Sequence, residues 1–393
     1  MPEQVRPLVR LIRWWALFAD LVPLYPLYAL LFADSGLSEA EISALFALWS
    51  LVGVVAEVPT GALADRFSRR TSLVAGGVLQ AAGYVLWTAW PGFTAFAAGF
   101  ALWGLGATLV SGALEALLYD GLAAAGAETH FARVYGQVNA LELIAQIPAA
   151  GAATVLFVSG GFELVGYASV GMCLLASVIA ARLPEPGRRR EVEETPSQPE
   201  RGFFATLRSG VAEAVATPGV RGVVVVVALL TAVDGLEEYF PLLAHDWHVP
   251  VSWNPLAVVG IAVVGAAGAA MAGRWATPGA RALAMTLGAG AVLLGGAGLF
   301  AEPVGLAGVA LFYGLYRAVL VVGNARLQER IESEARATVT SVSGLGADLA
   351  SLVLFGAWAL GGLAAAVVLV AVVALALPFG LRKRRERAPL TPR

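Results

Sequence analysis

Long apolar runs alternate with short polar breaks along the chain, and the runs set its architecture. Mostly apolar stretches cover 9–33, 38–62, 71–90, 93–121, 131–159, 163–182, 219–244, 253–275, 280–300, 303–325, 336–359 and 361–381. Each is close to the roughly 20 residues that a helix needs to cross a bilayer. Breaks such as Asp34-Ser35-Gly36, Trp90-Pro91-Gly92 and Glu302-Pro303 separate them. The pattern predicts an all-α membrane protein of twelve transmembrane helices. The first run is too long, and too directly followed by the second, to be a cleaved signal peptide.

Charge placement orients the spans. Of the 26 basic residues, 25 fall on one side of such a topology: Arg6, Arg10 and Arg13, the stretch Arg66 to Arg70, Arg133, the central loop, Arg274 and Arg281, Arg326 to Arg336, and the tail from Arg382. The other side receives none, and the remaining cation, Arg317, lies inside a span. Basic residues collect on cytoplasmic loops, so both termini are expected in the cytoplasm. An odd number of spans would scramble the alternation. Composition excludes the soluble alternatives. The 393 residues are 58% hydrophobic and 14% charged, against about 25% charged in a soluble domain. A mean hydropathy of +0.75 suits neither a cytosolic enzyme nor a nucleic-acid binder. The single Cys173 can form no internal disulfide. Only Lys383 among the basic residues is not Arg, a bias of GC-rich bacterial genomes; the expected location is a bacterial cytoplasmic (inner) membrane, crossed many times.

Residues 183–218 form the one long break, rich in Pro and mixed charge, with a stretch at 203–216 amphipathic enough to lie along the membrane surface. It divides the chain into an N-terminal six-helix bundle (1–182), a cytoplasmic linker (183–218), a C-terminal six-helix bundle (219–381) and a basic tail (382–393). Eight of the ten Trp fall near span ends, as an aromatic belt should. Trp49 and Trp103 fall mid-span; they read either as packing residues or as part of a ligand cavity, as does Tyr25.

The loop after the second span reads Gly61-Ala-Leu-Ala-Asp65-Arg66-Phe-Ser68-Arg69-Arg70. This resembles the signature of the major facilitator superfamily, Gly-x-Leu-Ala-Asp-Arg-x-Gly-Arg-Arg/Lys, at the place where that family carries it. Ser68 stands where the second Gly is usual, so the turn is expected to be less tight. A degenerate copy, Gly273-Arg274 to Gly279-Ala-Arg281, follows the eighth span and has lost the acid. The resemblance implies two related bundles working by alternating access. It also implies a cytoplasmic gating network of Gly61, Asp65, Arg66, Arg69, Arg70 and Asp120. Ile147-Pro148-Ala-Ala-Gly151, the stretch Ser111 to Asp120 and Glu57-Val-Pro-Thr-Gly61 look similar to the bacterial drug:proton antiporter branch. Gly104 and Gly106 match a fourth-helix motif whose Arg is here Phe100; that departure puts an Arg-assisted proton relay in doubt.

Ionisable groups inside spans cost about 2.5–3.5 kcal/mol on insertion scales and normally face a cavity or a partner. Here they are Asp20, Glu57, Glu115, Asp120, Glu142, Asp234, Glu237, Glu238, Asp348 and the lone cation Arg317. Arg317 is expected to neutralise Asp348 or Asp234. As an α-helix, 234, 237 and 238 would share one face, with the two Glu as partly wetted outer-end residues. Asp20, Glu115 and Glu142 have no cation in their half, which makes them candidates for reversible protonation alongside Asp234 and Asp348. Asp20, Tyr25, Trp49, Trp103, Glu142, Asp234 and Arg317 are the candidates for the substrate cavity. No nucleophile–base set or metal cluster suggests an enzyme, and no cofactor, metal or nucleic acid is expected. The function expected is proton-coupled efflux of amphiphilic neutral or cationic small molecules by a monomer in contact with membrane lipid. The alternatives are a proton symporter or facilitator importing a neutral metabolite, a lipid or metabolite flippase and, last, a non-transporting membrane sensor.

Overall fold

The computed structural model describes residues 2–66, 68–184, 218–274, 278–330 and 336–381, with side chains at all of these except 57–66, 218–220 and 336–341. Residues 185–217 of the linker, with its amphipathic stretch, and the basic tail lie outside the described residues, as do the side chains of Glu57, Asp65 and Arg66 and the surroundings of Gly61. Among the described residues the regular structure is entirely helical. The helices are α1 (Arg6–Ala19), α2 (Tyr28–Asp34), α3 (Glu39–Arg66), α4 (Arg69–Ala89), α5 (Phe93–Ala123), α6 (Phe131–Ala181), α7 (Pro218–Ala232), α8 (Phe240–Asp246), α9 (Asn254–Ala272), α10 (Ala280–Phe300), α11 (Gly305–Arg330) and α12 (Arg336–Gly380). Eight helical stretches among them are long and apolar enough to cross a membrane.

The chain divides into two compact units, one of Met1–Glu200 with Glu238–Val259, the other of Arg201–Glu237 with Gly260–Arg393. In the first unit, Val5, Leu8 and Ile12 share a core with Val134 and Val138 from the start of α6 and with Ala176 and Ala180 from its end. A straight helix would hold Val134 and Ala180 about 70 Å apart. The chain therefore doubles back, and it does so at Gly160-Gly161, where φ/ψ are −160°/22° and 61°/−159°. The second backbone conformation is open to glycine almost alone. The same pair recurs in the second unit at Gly361 (−152°/15°) and Gly362 (52°/−142°) inside α12. There, Gly346 packs on Ala228 of α7 and Gly380 on Val226.

Small residues let the helices close up within each unit. A Cβ at Gly76 of α4 would stand 2.7 Å from the Gly106 carbonyl oxygen of α5, a backbone approach typical of membrane helices. The outward faces stay apolar: Val292, Leu299, Phe300, Leu360 and Phe379 are all exposed. A water-soluble protein would not tolerate such a surface; lipid requires it.

Two helical stretches are broken. Between α1 and α2, Pro23 and Pro26 lack amide donors, and Ser169 Oγ from α6 accepts the Leu24 amide at 2.9 Å. Between α7 and α8, Val233–Tyr239 winds as a 3₁₀ helix. Three residues per turn eclipse positions 234 and 237 and swing 238 away. The single face expected for all three acids is therefore corrected: only Asp234 and Glu237 act together.

Candidate functional site

In the first unit, aromatic rings from the α1–α2 break, α2, α3, α4 and α5 converge on a pocket of about 270 Å³, its open mouth included. Tyr28, Tyr84, Trp87 and Phe100 form its buried floor. The mouth-side residues Tyr25, Trp49 and Trp103 are more accessible, with Trp49 and Trp103 edge to face at 5.6 Å. Glu238 completes the lining. It is only 8% exposed, so the partly wetted position expected for it is corrected: its carboxylate accepts a hydrogen bond from the Tyr28 hydroxyl. The next residue, Tyr239, is tied to Ser43 at 2.8 Å, and Asn254 donates to the Pro241 carbonyl at 2.8 Å. These bonds fix the Glu238 backbone against α2 and α3.

Asp20 closes α1 as its C-terminal cap and lies within electrostatic reach of Glu142, Tyr84 and Cys173. Among the described residues neither Asp20 nor Glu142 has an ion-pair partner. Glu115 is exposed on α5, and Tyr135 feels both Glu115 and Glu142. Asp120 pairs with Arg69, which also donates to the Ala116 carbonyl at 3.1 Å. Ser68, which replaces the second Gly of the family signature, is the N-cap of α4 and accepts the Thr71 amide at 3.2 Å.

The second unit holds a separate polar cluster. One Arg317 nitrogen reaches both Asp234 oxygens, at 3.1 and 3.0 Å. Of the two acids open to Arg317 in the sequence, the structure pairs it with Asp234; Asp348 is half-buried in α12. Tyr313 lies 3.1 Å from Asp234 Oδ1 and 2.8 Å from Glu237 Oε2. The Arg317 guanidinium stands 5.8 Å from the Tyr313 ring centre.

Tyr25, Trp49 and Trp103, picked from the sequence as cavity residues, thus line one pocket. Asp20 and Glu142 lie elsewhere in the same unit, and Asp234 and Arg317 belong to the other unit. The pocket floor is absent from the sequence candidates because buried aromatics read as ordinary core, and Glu238 because it reads there as a partly wetted outer-end residue. Tyr313 carried a usable signal: four residues before Arg317, it shares that helix face.

A largely apolar, all-helical chain with polar groups set at breaks in its helices has the design of a multi-pass membrane protein. The chain belongs to the Major Facilitator Superfamily, which it matches over residues 12–355, and its long apolar helices are those of a multi-pass membrane protein; the chain spans less than half the length of the curated relatives it matches. It is 29% identical over 182 residues to the uncharacterized MFS-type transporter Rv2456c of Mycobacterium tuberculosis, a match covering 45% of this chain and 42% of that protein. Its fold is similar to a bacterial homologue of the human lysosomal transporter Spinster in an inward-facing, unoccupied conformation (TM-score 0.73, 16% identity, 96% and 97% of the two chains). It is also similar to the nucleoside transporter NupG (0.71, 12%, 95% and 98%) and a D-xylose–proton symporter (0.70, 14%, 97% and 98%).

Proposed function

We propose that the protein is a proton-coupled exporter of amphiphilic neutral or cationic small molecules, of the drug:proton antiporter kind. It crosses a bacterial inner membrane twelve times as a monomer, with both termini and the linker in the cytoplasm. The twelve crossings count the broken α1–α2 and α7–α8 as one span each and α6 and α12, reversed at their glycine pairs, as two each. The bundles, 1–182 and 219–381, alternate access around a central site, and the loop from Gly61 to Arg70 latches one state.

The observation that carries the reading is the pair Asp20 and Glu142, two carboxylates in mutual electrostatic reach with no cation beside them among the described residues. An embedded carboxylate without a counter-charge is costly when ionised. A proton or a cationic substrate relieves that cost, so the two compete. Competition of this kind couples substrate release to the proton gradient, because each ligand shifts the equilibrium only by its differential affinity for the two states.

Ethidium efflux from proteoliposomes tests it. Asp20→Asn or Glu142→Gln is expected to abolish efflux driven by a pH gradient while leaving ethidium exchange in place, since an amide mimics the neutral acid but releases no proton. Wild-type gradient-driven efflux in both variants would reject these two carriers and shift attention to Glu115, Asp234 and Asp348. Accumulation of substrate in the direction of proton flow would make the protein a symporter instead.

A further inference from the structure

Two polar groups of the first unit are left with hydrogen bonding undone, and they sit at one level of the fold. Tyr84 of α4 is only 2% exposed. Its hydroxyl oxygen accepts the Trp103 indole N–H of α5 at 3.2 Å, but among the described residues its own proton meets no acceptor. Asp20 ends α1, and among the described residues no donor reaches its carboxylate. Buried polar groups are almost always hydrogen-bonded, so an idle donor within reach of an idle acceptor calls for an explanation.

Helix packing brings the two together from separate elements. Along α4, positions 77, 84 and 88 fall on one face. A Cβ at Gly77 would stand 3.2 Å from the Cys173 carbonyl oxygen of α6, and one at Gly166 of α6 would run into Thr88. The two helices are thus antiparallel here, and Tyr84 falls level with Ser169 to Cys173. At that level α6 also receives the α1–α2 break, since Ser169 Oγ accepts the Leu24 amide at 2.9 Å. Asp20 precedes Leu24 by four residues. The titratable groups within its electrostatic reach are Glu142 and Cys173 of α6 and Tyr84 itself. An ionised Glu142 has no proton to give and a thiol is a weak donor, whereas a phenol donates well. On its other side the Tyr84 hydroxyl is held by Trp103, whose ring stands edge to face with Trp49 at 5.6 Å by the pocket mouth.

We propose that Tyr84 is a positioning residue for Asp20: its hydroxyl donates to the carboxylate once Asp20 has lost its proton, and rests on Trp103 alone when Asp20 is protonated. The proton state of Asp20 is thereby tied to the Trp103–Trp49 pair. A ligand that moves Trp103 acts on Asp20 through this one hydroxyl, and Asp20 acts back on the ligand, because coupling between two sites is reciprocal. The inference rests on the proton-coupled reading above for its place in a cycle; the contact itself is measured without transport.

Infrared difference spectra between alkaline and acid buffer, taken on the purified full-length protein, isolate the Asp20 carboxyl as the band that Asp20→Asn removes. Tyr84→Phe keeps the ring and is expected to move the titration midpoint of that band by about one pH unit, the effect of one hydrogen bond to a charged group. Trp87→Phe disturbs the same floor, but its N–H serves the Phe96 carbonyl, so the midpoint should stay in place. An unmoved midpoint in Tyr84→Phe, or an equal shift in Trp87→Phe, would overturn the proposal, as would a spectrum with no band that Asp20→Asn removes. Should Tyr84→Phe fail to fold, Trp103→Phe decides: it removes the hold on the hydroxyl and must move the midpoint for the proposal to stand. A moved midpoint without any proton-driven ethidium transport by the wild type would overturn the exporter reading and leave the contact standing. Proton-driven efflux with an unmoved midpoint would overturn the contact alone.

Discussion

Tyr313 has one hydroxyl proton and two carboxylates within hydrogen-bond distance. It can donate to only one, so a proton on the other carboxyl would complete the second bond; Arg317 already serves Asp234. The cluster thus holds two acids against one cation, and its stability rests on Arg317. Breaking a buried ion pair from one side costs about 3–5 kcal/mol; with both partners about a third exposed, roughly 1–3 kcal/mol is expected for Arg317→Ala. Adding Asp234→Asn should recover part of that loss, which thermal unfolding in detergent would measure as a double-mutant cycle. An additive double variant would mean that the pair contributes nothing as a pair. Ser68 offers a second case at this scale. Its hydroxyl caps α4, and Ser68→Ala is expected to cost about 1 kcal/mol, whereas Ser68→Asp should keep the cap. Equal unfolding temperatures for the Ala and Asp variants would remove the capping role.

The glycine pairs decide how the longest helices are used. Gly161 has φ 61° and ψ −159° with open space where a Cβ would stand, so a side chain there would be opposed by the backbone alone. Gly161→Ala is expected to destabilise by about 1–3 kcal/mol. Gly151→Ala, inside the same helix and also in open space, should be neutral or stabilise by up to about 1 kcal/mol. The reverse order would show that α6 does not turn at Gly161. Helix limits of this kind were legible in the sequence: the expected break between 159 and 163 brackets Gly160-Gly161, because apolar run length and glycine or proline punctuation act locally. The 3₁₀ winding at Val233–Tyr239 was not, since 3₁₀ and α-helix draw on similar residues and differ in packing. That one difference separated Glu237, set on Tyr313, from Glu238, set on Tyr28. The aromatic floor was equally hidden, for Tyr28 and Glu238 stand 210 positions apart and no local pattern joins them.

For the whole molecule, the asymmetry of basic residues makes a direct statement about sidedness. On a Cys173→Ala background, cysteines at Ser35 and Ser252 are expected to react with an impermeant maleimide from outside, and those at Ser197 and Thr391 only after permeabilisation. Outside labelling at Ser197 would overturn the twelve-span topology. Transport itself turns on whether substrate and proton share the cycle. Family membership was readable from one loop; the proposed proton site rests instead on side-chain placement, where Asp20 and Glu142 come within reach of each other from separate helices. The most direct test is proton movement in lightly buffered proteoliposomes when an ethidium gradient is imposed without a pH gradient. The account expects protons to move opposite to ethidium in the wild type and no proton movement in Asp20→Asn. Ethidium transport by the wild type with no accompanying change in pH would contradict it.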